Sequence, residues 1–222
     1  MLNSFQTYLP LLIQGSLETI YMTLASTLFA YALGLPMGLL VVATDANGVL
    51  PMPRLNRVLQ WVVNIGRSIP FIILLIAIIP FTRFVVGTSI GTNATIVPLV
   101  IAATPFVARL VETSISELDK GVIEAAQAMG ASPWQIITKV MLPESIPSIT
   151  LGVSITAITL VGYSAMAGAV GGGGLGNLAI RYGYHRYQTD VMIMTIVLLI
   201  ILVQILQSAG SLISRKLDKR SR

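Results

Sequence analysis

Long apolar runs recur along the chain, separated by short polar or glycine-rich intervals. A helix needs about 20 predominantly apolar residues to cross a bilayer. On that pattern five spans are expected, over about 17–42, 60–81, 94–111, 148–170 and 191–213. Met1 to Gly15, with Tyr8 and Pro10, reads as a short interfacial lead-in. The longest polar interval, 119–147, separates the third and fourth spans and has a pattern of its own. Val122, Ile123, Ala126 and Met129 follow a helical period behind Asp119, a good N-cap. Gly130 stands where a helix ends in a left-handed residue, which glycine adopts without steric cost. Ser132-Pro133-Trp134-Gln135 then opens a second helix: serine as cap, proline at the first position, glutamine completing a capping box. Pro143 is expected to stop it. The expected product is helix, glycine elbow, helix, with apolar Met129, Trp134, Ile136 and Ile137 in need of a partner surface.

Composition turns this pattern into a class. Hydrophobic residues make up 55% and charged residues 10%, with a mean hydropathy of +0.83. A soluble domain carries about 25% charged residues, so residues 1–222 are expected to form one all-α integral membrane domain. There is no cysteine, hence no disulfide and no thiolate site. The net charge of +5 reflects orientation and not nucleic acid, because the basic residues flank the spans. If the N-terminus is outside, the inner side collects Arg54, Arg57, Arg67, Arg109, Lys120, Lys139, Arg215, Lys216, Lys219, Arg220 and Arg222. Only Arg83, Arg181 and Arg186 fall outside. The expectation is therefore N-terminus outside, C-terminus in the cytosol and the 119–147 loop on the cytosolic side. The first basic residue is Arg54, so the basic n-region of a cleavable signal is missing.

No phosphate-binding loop G-x4-G-K-[ST] occurs, and no carboxylate pair has catalytic spacing, so no catalytic residue is assigned. Gly171-Gly172-Gly173-Gly174-Leu175-Gly176 satisfies G-x-G-x-x-G formally. It follows a membrane span and not a strand, so a dinucleotide site is rejected. His185 is the only histidine, and no metal site is expected. Tyr182, Tyr184 and Tyr187 read as an aromatic belt at the outer interface.

Glu124-Ala125-Ala126, Gly130 and Val140-Met141-Leu142-Pro143 resemble the EAA loop of ABC importer permeases, EAA-x3-G-x9-I-x-LP, with valine in place of the usual isoleucine. The resemblance extends to the methionine importer permeases of that superfamily through Arg67-Ser68-Ile69-Pro70-Phe71, Pro80-Phe81-Thr82-Arg83, Gly87-Thr88-Ser89-Ile90-Gly91 and Gly162-Tyr163-Ser164-Ala165-Met166. It implies a subunit of the bacterial cytoplasmic membrane that hydrolyses nothing itself. Its implied partners are a second copy, two cytosolic ABC ATPases that bind the ATP and Mg, an external solute-binding protein or lipoprotein, and the bilayer. It implies methionine as cargo and a coupling helix in which Glu124, Ala125, Ala126, Met129, Gly130, Trp134, Leu142 and Pro143 meet the ATPase.

Each candidate has a plainer reading beside it. The coupling helix competes with an amphipathic helix on headgroups, but no Lys or Arg lies between Gly121 and Thr138 to flank its apolar face. Arg67, inside the second span, is a candidate path or gate residue; the alternatives are snorkelling or an ion pair with Glu112. Tyr163, Ser164 and Met166 line a path or pack a core. Gly171, Gly172, Gly173 and Gly174 form a docking surface for the binding protein or a connecting turn. Two other classes compete with the importer. A stand-alone secondary amino-acid transporter calls for buried relay acids, yet Glu18 and Glu112 lie near span ends. A membrane scaffold has no need of kinking prolines.

Overall fold

The computed structural model describes residues 2–217, with side chains from residue 7 onward. The basic tail residues Lys219, Arg220 and Arg222 lie outside the described residues. Helices account for nearly all of the chain: α1 (Leu2–Ala43), α2 (Pro53–Ser68), α3 (Phe71–Ala77), α4 (Ile79–Val86), α5 (Thr92–Ser116), α6 (Lys120–Ala128), α7 (Pro133–Ile136), α8 (Leu142–Ala167), α9 (Gly174–Leu178) and α10 (Thr189–Leu217). Among the described residues, four stretches are long and apolar enough to cross a membrane alone, and α2 with α3 make a fifth if that bent pair counts as one crossing.

The bundle is centred on α1 and α5, which run in parallel. Gly34 and Gly38, one helical turn apart, let the backbones approach. A Cβ on Gly34 would come within 2.7 Å of the Thr104 carbonyl oxygen, and one on Gly38 within 2.5 Å of that of Ala108. Small residues at such a crossing are how helices associate in lipid, where burial supplies little drive. Leu99, Val107, Val111, Ile115 and Leu160 fill the space between α1, α5 and α8. Helix α10 lies antiparallel to α8, with the Ser214 hydroxyl donating to the Pro147 carbonyl (2.9 Å). All spans thus share one end, carrying α6 and α7, and an opposite end, carrying Tyr21, Gly171 and Thr189.

Four expectations change. The lead-in before residue 17 is helical and continuous with the first span. The span expected over 60–81 is broken: α2 begins at Pro53, stops at Ser68, and α3 departs at 99°. Ile69 precedes Pro70 and is held extended (φ −84°, ψ 121°), because the proline ring excludes the helical region for its predecessor. The fourth crossing begins well before residue 148. Pro143 does not stop the helix; a π turn over Ile137–Met141 comes directly before it, and helix runs from Pro133 to Val170. The wider π turn disrupts the regular hydrogen-bond ladder where proline lacks a donor. Finally, the glycine-rich turn is followed by a short helix, α9, folded back into the bundle.

Candidate functional site

The knuckle formed by α6 and α7 is built by local chemistry. The Asp119 carboxylate accepts from the Gly121 N–H (2.8 Å), capping α6. At the other end the Ala131 N–H bonds the Ala126 carbonyl (3.1 Å) and the Gly130 N–H bonds the Gln127 carbonyl (2.9 Å). These two bonds are a Schellman cap, and Gly130 sits in it at φ +78°. Ser132 and Gln135 form the reciprocal capping box: the Ser132 N–H donates to Gln135 Oε1 (2.9 Å) and the Gln135 N–H to Ser132 Oγ (3.4 Å).

The structure divides the expected partner surface in two. Ala126 (4% exposed), Ile136 and Ile137 are buried beneath the knuckle with Met141, so they anchor it to the bundle and are not presented. Glu124, Ala125, Met129 and Trp134 face outward, Met129 at 81% and Trp134 at 72% exposure. Leu142 is half-buried and Pro143 exposed. The presented surface is therefore one apolar patch beside one carboxylate, on a rigid two-helix base.

At mid-depth the broken second span makes a second site. Gly66 abuts the Pro105 ring, near the middle of α5, where a Cβ would come within 2.8 Å of the ring. Arg67, the next residue, therefore lies near half-height, in the last turn of α2. Its side chain is exposed and has no ion pair among the described residues. The alternative partner, Glu112, is already engaged: Arg109 binds it at 2.8 Å and Gln60 donates to it at 2.9 Å. That trio ties α2 to α5 and does not involve Arg67. A guanidinium without an ion pair at this height is costly in hydrocarbon and calls for water or a polar partner.

The three candidates on α8 part company. Tyr163 is half-buried and stacks on Phe71 (centroids 4.5 Å apart, 4° between planes), holding α3 against α8. Ser164 is 2% exposed and donates to the Val161 carbonyl (2.8 Å), so it belongs to the packing and not to a path. Met166 is exposed. Beside them lies a groove of about 320 Å³ between α8 and α10, with Gly162 on one wall and Gln204 on the other. Gln204 is exposed near the centre of α10 and was not a sequence candidate, although a lone amide in an apolar run is a visible signal.

The glycine turn is built into the bundle. Gly172 and Gly174 are buried, and Gly171, Gly173 and Gly174 all have positive φ. The Glu18 carboxylate accepts from the Gly174 N–H (2.7 Å), and Thr19 Oγ1 accepts from the Leu175 N–H (2.9 Å). Gly171 accepts from the Gly91 N–H (2.9 Å). The connecting-turn reading accounts for these contacts, and buried Gly172 and Gly174 are not available to a docking partner. Sequence alone gave no hint that Glu18, 156 positions away, caps this turn. Among the described residues no group of His, Cys, Asp or Glu is arranged to hold a metal.

Residues 33–220 match the family described as binding-protein-dependent transport system inner membrane component. A probable D-methionine transport system permease protein of Vibrio cholerae is 54% identical over 95% of this chain and 93% of its own. A methionine import system permease protein of Bacillus subtilis is 48% identical over 91% of both chains. A solved inward-facing structure of a methionine ABC transporter superposes with a TM-score of 0.95 at 50% identity, covering 96% of this chain and 99% of that one.

Proposed function

The chain belongs to the binding-protein-dependent transport system inner membrane components, and from that premise we propose that it passes methionine into the cytosol by alternating access driven by a separate ATPase. It is a multi-pass permease subunit of the inner membrane and not the ATP-hydrolysing component. The family membership removes the stand-alone secondary transporter from consideration. The cargo rests on the names of relatives that are 48% and 54% identical over nearly the whole chain.

The proposed assembly has two copies of this chain, two ABC ATPases that bind ATP and Mg, and an external solute-binding protein or lipoprotein. The N-terminus is outside and the knuckle is in the cytosol, in keeping with the distribution of basic residues. One observation carries the coupling role: Met129 and Trp134 stand nearly bare on a knuckle rigidified by a Schellman cap and a capping box. An ATPase groove covers this patch, and closure on nucleotide moves the spans that leave it at both ends. Binding of ATP then shifts the population between inward-open and outward-open states. Within the path, Arg67 meets the cargo carboxylate near half-height, on the α2 side of α5; Tyr163, Met166 and the Gly162–Gln204 groove belong to the α8 side.

The test is a two-part reconstitution. Trp134→Glu places a second carboxylate on the patch, and it should insert normally but lose the ATPase during co-purification. Wild-type assembly in vesicles should take up labelled methionine only with ATP and binding protein. Normal ATPase retention by the variant defeats the docking assignment. ATP-independent uptake defeats the transport mechanism.

A further inference from the structure

At the end opposite the knuckle, a cleft of about 380 Å³ lies between α1 and α10. Leu9, Leu12, Ile13 and Leu17 form one wall, and Met194, Val197 and Leu198 belong to the other. Ser16 is the one polar lining residue among those described, and its hydroxyl is already satisfied by the Leu12 carbonyl (2.7 Å). The cleft opens onto the exposed apolar face of α10, where Ile193, Val197, Ile200 and Ile201 stand bare. Nothing in it suits a polar ligand; a hydrocarbon chain does.

The rim of the cleft has different chemistry. Tyr8, one residue before Leu9, packs edge-on against Tyr182 (centroids 5.6 Å apart). Tyr182 packs against the same apolar cluster as three residues that line the cleft, Leu12, Met194 and Leu198, and so borders it. The guanidinium of Arg186 lies 4.7 Å from the Tyr182 ring centre, and that of Arg181 lies 5.7 Å from it. Both arginines are exposed. An apolar slot capped by aromatics and two guanidinium groups, at the end of a span, is complementary to an acyl chain under an anionic headgroup.

We propose that this cleft binds one anionic phospholipid, with an acyl chain between α1 and α10 and the headgroup phosphate on Arg181 and Arg186. A second copy of the chain fits less well. A two-fold contact whose axis passes through this cleft brings the Arg181 and Arg186 side chains of both copies to one seam. Such like-charge contact is costly across an interface.

The complex with its ATPase partner, purified in mild detergent, is challenged with equal amounts of phosphatidylglycerol and phosphatidylethanolamine and read by native mass spectrometry. Phosphatidylglycerol adducts should dominate. Arg181→Gln and Arg186→Gln should each lower their retention roughly fivefold, from the attraction a surface arginine exerts on anionic lipid. Val197→Trp, which fills the slot, should remove adducts of both lipids while the complex stays intact. Equal retention of the two lipids, or retention unchanged in the double arginine variant, overturns the proposal. The chain has no cysteine, so Val197→Cys supplies a further arm. Oxidation should leave two copies unlinked, and a disulfide between copies assigns the cleft to the second copy instead. None of these readouts depends on the cargo or on coupling through the knuckle.

Discussion

A valine at position 130 has to adopt a φ of +78°. A left-handed backbone costs an ordinary residue about 1–2 kcal/mol, and more when the side chain branches at Cβ. Space is no obstacle, since a Cβ there meets nothing within 4 Å. Gly130→Val should therefore loosen the Schellman cap and spare the bundle: membrane insertion is kept and ATPase stoichiometry falls. Gly130→Asn, which tolerates the left-handed region, should recover most of the docking. Arg67 carries a different prediction, resting on its mid-depth position without an ion pair. Arg67→Gln should leave ATPase retention unchanged and slow methionine uptake by an order of magnitude or more, as for a lost charged contact of roughly 1.5–3 kcal/mol. Uptake at the wild-type rate removes Arg67 from the path. Gly130 was legible in the sequence because a cap is decided within a few residues. The position of Arg67 was not, because continuous hydropathy hid the break at Ile69-Pro70; the proline was the signal that outranked it.

Among the elements, the pairing of α1 with α5 depends on bare backbone. A Cβ at position 38 would come within 2.5 Å of the Ala108 carbonyl and 2.8 Å of Val111 Cβ. Gly38→Val should force the helices apart, at a cost of about 1–3 kcal/mol for overpacking, seen as a lower midpoint in thermal unfolding of the purified protein. Gly162→Ala, on an open face of α8, serves as the control and should not lower it. The spans themselves were legible from apolar runs alone. Their breaks and extensions were not. Pro143 reads as a stop, yet the π turn over Ile137–Met141 comes before it and the helix continues. The glycine turn reads as a loop, yet Glu18 and Thr19 reach it from a distant helix and hold it in the bundle. Local rules see caps; they do not see tertiary partners that re-satisfy a backbone.

For the whole molecule, the distribution of basic residues predicts a topology that a single label can test. Gln127 lies on the exposed face of α6, and the chain is free of cysteine. Gln127→Cys should react with an impermeant maleimide only when the cytosolic face is open, as in inverted vesicles. Labelling in intact cells places the knuckle outside and overturns both the orientation and the coupling role. The partition of the candidate residues also belongs to this scale. The outward set of Glu124, Ala125, Met129 and Trp134 and the inward set of Ala126, Ile136 and Ile137 are interleaved in sequence. Only the packing of α6 against α7 and the π turn separates them.

The helical run from Pro133 to Val170, π turn included, has a mechanical consequence. At a rise of about 1.5 Å per residue, a helix of that length reaches roughly 55 Å, more than the full thickness of a bilayer with its headgroups. Trp134 and the glycine turn at Gly171 are thus two ends of a single tiller. Under the proposed coupling, torque applied at the Trp134 end should reach the Gly171 end, with the wide turn at Ile137–Met141 as the place where it is most easily spent in bending.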